Sequence, residues 1–112
     1  MPVITFDLPS FTGDQAVAAA ERLYGLSAVA ETLPSERDQN FLLRGTDGKR
    51  FVFKISNATE DTQALDLQNQ ALRHVAQHTP ELTLPRVRPA LSGRLIETLA
   101  DDRGRSHQVR LL

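Results

Sequence analysis

Lys54 is the residue best placed to do chemistry, because it stands inside the apolar run Phe51-Val52-Phe53-Lys54-Ile55-Ser56. A long cation in such a strand is costly unless it has a task or an exit to water. Side chains alternate along a strand, so Phe51, Phe53 and Ile55 share one face while Val52, Lys54 and Ser56 share the other. With the first face in the core, the ammonium points into whatever the second face overlooks. A nucleotide phosphate suits that position. The competing reading is a lysine that guards a sheet edge against aggregation.

The other reactive side chains read more blandly. His74 and His78 are four apart, a zinc-like spacing, but no adjacent glutamate completes a metalloprotease motif and the pair reads as a solvated helix end. His107 stands apart from them. Asp101 and Asp102 read as turn formers, and Ser35, after Pro34, reads as a turn residue. No cysteine is present, which excludes disulfides, thiolate zinc sites and a cysteine nucleophile and is compatible with a reducing cytoplasm.

These groups must be positioned by a modest fold. At 112 residues, 40% hydrophobic and 24% charged, the chain suits one soluble domain, 1–112. A net charge of -1 gives no reason to expect nucleic acid or an anionic membrane as partner. Met1 to Phe11 lacks a basic, apolar leader, and no segment reaches the roughly 20 apolar residues of a membrane span. The closing Val109-Arg110-Leu111-Leu112 has no polar tail, so the expectation is a fragment cut from a longer protein.

Val3 to Leu8 reads as an extended lead-in. Thr12 and Gln15 form a capping box ahead of a helix over Asp14 to Tyr24, which Gly25 ends. Strands follow at Leu26 to Leu33, Asn40 to Arg44 and Lys49 to Ser56, the last two joined by Gly45-Thr46-Asp47-Gly48. A second helix starts near Thr59, with Glu60 and Asp61 in its first turn and Pro80 beyond its end. Leu65, Leu72, Val75 and Ala76 lie on one side of it, with Gln68 among them. Pro85, Pro89 and Gly93 punctuate an extended region, and Ala90-Leu91, Arg94 to Leu99 and His107 to Leu112 read as strands around the turn Asp101 to Gly104. The sum is an α+β fold, about five antiparallel strands packed with helices.

Four segments in this order carry a resemblance: Ser35 to Leu43, Phe51 to Asn57, Gln68-Asn69-Gln70-Ala71-Leu72, and Val109 to Leu112. Together they resemble the N-terminal lobe of the aminoglycoside phosphotransferase family, in its hydroxylysine-kinase branch, which shares the protein-kinase-like fold. The resemblance implies that Lys54 pairs with the α- and β-phosphates of ATP and that Val52 roofs the adenine. It implies that Ser35 contacts phosphate, that Gln68 holds Lys54 where kinases use glutamate, and that Leu111 and Leu112 enter the hinge that binds adenine. Two departures stand out: the loop Ser35 to Asn40 has no glycine, and a glutamine cannot pair charge with an ammonium.

The resemblance further implies ATP with Mg2+ as cofactor and a C-terminal lobe, absent here, that carries the catalytic aspartates. The chain alone is then expected to be inactive. The phosphate acceptor is expected to be an amino-acid-like or aminoglycoside-like hydroxyl. Some members of this branch are fused to a class III aminotransferase, and pyridoxal phosphate enters only with such a fusion. The alternative is a non-catalytic α+β domain, a degenerate kinase lobe kept for protein interaction.

Overall fold

The computed structural model describes residues 9–35, 38–58, 62–78 and 86–112. The expected lead-in at Val3 to Leu8, the cap at Thr59, the acids Glu60 and Asp61, and Pro80 and Pro85 lie outside them.

Helix α1 (Gly13–Tyr24) begins where its sequence says it should. Thr12 accepts from the Gln15 amide, the Gln15 side chain accepts from the Thr12 amide, and Gly25 closes the helix at φ 66. The chain entering α1 is clasped from afar: the Gln39 carboxamide accepts from the Phe11 N–H at 2.7 Å and donates to its carbonyl at 2.6 Å.

Five antiparallel strands follow in the spatial order β1-β2-β3-β5-β4: β1 (Ala28–Leu33), β2 (Gln39–Gly45), β3 (Arg50–Ile55), β4 (Glu97–Ala100) and β5 (Ser106–Leu111). Helix α2 (Thr62–His78) connects β3 to the second half of the sheet. The α+β class and the five antiparallel strands expected from the sequence are what the structure has. The hairpin between β2 and β3 turns at Asp47-Gly48, with the Gly48 amide on the Gly45 carbonyl at 3.0 Å. One expectation is corrected. Ala90-Leu91 is not strand but a tight reversal, held by the Ala90 amide on Arg94 and the Gly93 amide on Ala90, and Leu91 is exposed.

Strand register fixes the two faces. Phe41 pairs with Phe53, Leu43 with Phe51, and Phe53 with Leu111, so one face collects the apolar side chains of β2, β3 and β5. That face packs with Phe11, Ala16, Ala19 and Ala20 of the α1 segment to form the core. Tyr24 meets Phe53 edge-on at 6.1 Å between ring centroids. Small alanines let the helix approach the sheet closely, and the phenylalanines fill the space between.

Candidate functional site

The opposite face carries the polar chemistry. Asn40 on β2, Lys54 on β3 and Arg110 on β5 are Cα partners in one row across the sheet. Beside that row, Leu42 pairs with Val52, and the backbones of Val52 and Leu112 exchange both hydrogen bonds, at 2.8 and 2.9 Å. Alternation alone puts Lys54 on this face, as the sequence reading requires. Lys54 is half-buried and makes no hydrogen bond or ion pair among the described residues.

The helix residue that reaches this row is Asn69, not Gln68. Both flank the line of Leu65, Leu72 and Ala76 at about 100° per residue, but the sheet lies on the Asn69 side. Gln68 is exposed, whereas Asn69 is buried and accepts from the Arg110 guanidinium at 2.9 Å. Arg110 is only 4% exposed. The link from helix to sheet therefore runs through the strand next to Lys54, while Gln68, expected to hold Lys54, stands exposed.

The remaining expected site residues divide. Val52 and Leu112 share the Lys54 face and sit side by side. Leu111 points the other way, into the core, and its carbonyl accepts from the Arg88 amide at 2.7 Å. Leu112 is bonded to Val52 through both amide and carbonyl and so continues the sheet beside β3. Ser35 is exposed, and its hydroxyl donates to the Asp38 carbonyl, closing the β1–β2 loop on itself. Of the residues expected around a nucleotide, the structure brings Val52, Lys54 and Leu112 together and adds Asn40, Arg110 and Asn69.

A second polar cluster lies under the β4–β5 turn. His107 is fully buried, edge-on to Phe11 at 5.4 Å, with Nδ1 on the Ser56 carbonyl at 2.9 Å and Nε2 on the Asp101 carboxylate at 3.0 Å. Asp101 also accepts from the Arg103 and Arg105 amides and from Arg105 Nε at 3.2 Å. The hydrogen bond from His107, then that from the Arg105 backbone, hold its carboxyl well below the usual carboxylate range. Asp101 is thus a turn former, as the sequence suggests, and also the carboxylate that ties the turn to a core histidine. Burial raises the Tyr24 hydroxyl above its ordinary pKa, with Glu97 adding to the effect.

Lys54 does not line the cavities at α2 and Arg86, at Tyr24 and Arg88, or at Ser10 and Asp101. Among the described residues no three histidine or acidic side chains gather into a metal-binding group, and no helix is long and apolar enough to cross a membrane.

Comparison with known proteins gives one informative relationship. No family model matches the chain. It is 33% identical over 107 residues to "Hydroxylysine kinase" of Danio rerio, covering 93% of this chain and 30% of that protein. The chain thus spans about a third of the curated relative it matches, and a kinase-like relative is what the comparison supports.

Proposed function

We propose that this chain is the nucleotide-binding lobe of a small-molecule kinase, with Lys54 holding the ATP phosphates. The observation that carries the reading is the polar row Asn40–Lys54–Arg110. Like charges directly opposite on a sheet repel, and an anion between them relieves that cost. Among the described residues Lys54 has no protein acid to neutralise it. Val52 and Leu112 supply an apolar seat beside it, suited to a purine. The hydroxylysine-kinase relative supports an amino-acid-like hydroxyl as phosphate acceptor, with ATP and Mg2+ as cofactors. Pyridoxal phosphate belongs to the reading only with a fused aminotransferase. The catalytic base and metal ligands belong to a second lobe, and the 112 residues alone bind nucleotide without turning it over.

An amide-resolved NMR titration of the chain with MgATP tests this. Saturable shifts are expected at Val52, Lys54 and Leu112, and Lys54→Met is expected to weaken binding about tenfold, the loss of one charge-assisted contact. Equal binding by Lys54→Met, or shifts confined to the α1 face, would overturn the assignment. A second reading, a non-catalytic interaction domain, is favoured by the Ser35 hydroxyl being spent within its own loop and by the exposure of Gln68. It predicts no saturable MgATP effect at all.

A further inference from the structure

Helix α2 and the chain from Arg86 to Leu95 enclose a cavity of about 250 Å3. Leu72, Val87 and Leu95 supply apolar walls, Arg73 and Arg86 stand at it as cations, and no acidic side chain lines it among the described residues. Neither arginine has an ion pair or hydrogen bond among those residues. Asn69, 1% exposed, also lines it. Its carboxamide is only half used: Oδ1 accepts from Arg110, while Nδ2 is a buried donor with no partner. A buried donor left unmade costs free energy that a bound acceptor recovers.

We propose that this cavity is a binding site for a small monoanion with an apolar tail, of which an aliphatic carboxylate is the simplest member. Three donors, two of them charged, surround a site that no acid lines among the described residues, and guanidinium forks match a carboxylate in geometry. The apolar walls select against a bare inorganic ion. The size, below the roughly 300–1,000 Å3 of sites for drug-sized ligands, selects a short chain. The site stands apart from the Lys54 row and does not depend on the nucleotide reading. It is nevertheless connected to that row, because the same carboxamide that offers Nδ2 to the cavity holds Arg110, the cross-strand neighbour of Lys54, by its oxygen.

Titration of the chain with hexanoate and with hexanamide, followed through backbone amide shifts, decides the matter. Hexanoate is expected to shift Leu72, Val87 and Leu95 saturably, with hexanamide about tenfold weaker or worse, as loss of a charge-assisted contact requires. Asn69→Asp keeps the oxygen that Arg110 needs and replaces the free donor with a second acceptor, so it is expected to retain α2 and lose hexanoate binding. Should that variant fail to fold, the exposed pair Arg73→Met and Arg86→Met carries the same expectation. Equal affinity for acid and amide, no saturable shift at these walls, or undiminished hexanoate binding by the variant that folds would overturn the proposal.

Discussion

The Asn69–Arg110 hydrogen bond makes a prediction whose sign is unusual. Replacing Asn69 by leucine in the native chain removes the acceptor of a guanidinium that is 4% exposed. Taking that acceptor from a charged donor costs about 2–3 kcal/mol, the upper range for a hydrogen bond to a charged group. In an Arg110→Met background the same replacement takes no acceptor from a charge. It instead removes a carboxamide already left without a partner on either atom, so its cost falls to about zero or becomes a small gain. Whatever else the Arg110 side chain touches is lost equally from the single and the double variant and cancels. Urea unfolding of the four proteins measures the cycle, and the coupling expected is about 2 kcal/mol, well above the few tenths seen for independent sites. Additive changes would show that the two side chains do not share the bond on which the placement of α2 rests.

Three further outcomes are expected. Lys54→Met leaves the unfolding free energy from urea titration unchanged to within about 0.5 kcal/mol, because the ammonium has no partner to lose among the described residues; a loss several times larger would mean the lysine is structural. Asp101 has a folded pKa below its unfolded value, so its contribution is fully present above about pH 4 and is lost as the pH falls below that. Asp101→Asn therefore lowers stability at pH 7, and the gap to the native chain narrows in acid; a gap that widens in acid contradicts the Asp101–His107 bond. Gly25→Ala costs more than Gly48→Ala: both stand at positive φ, 66 and 85, but a Cβ at Gly25 lies 3.3 Å from Leu91 while one at Gly48 meets nothing within 4 Å. The left-handed strain common to both is about 1–2 kcal/mol, and thermal unfolding of the pair separates it from the contact.

What could be read from the sequence was whatever is decided locally. The α1 cap needs only Thr12, Gln15 and Gly25, and the β2–β3 hairpin only Asp47 and Gly48, so both were legible. The facing of Lys54 followed from the two-residue period of its strand. Choosing between Gln68 and Asn69 was not local: each flanks the apolar stripe, and only the docking of α2 says which side meets the sheet. Arg110 and His107 were legible in part. The phase of β5 groups His107 with Val109 and Leu111, and sets Arg110 apart from them. Applying the alternation used for Lys54 to this strand would have put the histidine in the core and the arginine beside the lysine. Ala90-Leu91 was misread because two apolar residues outweighed the Ser92-Gly93 turn signal directly after them.

The order β1-β2-β3-β5-β4 means that β5, the last of these five strands in chain order, is an interior one. While a nascent chain lacks Ser106 to Leu111, β3 has a bare hydrogen-bonding flank and β4 has no neighbour at all, since its pairing is with β5. Synthesis thus leaves a sticky, half-built sheet until β5 emerges, and ribosome-bound intermediates that lack β5 should be good clients for chaperones that shield strand edges.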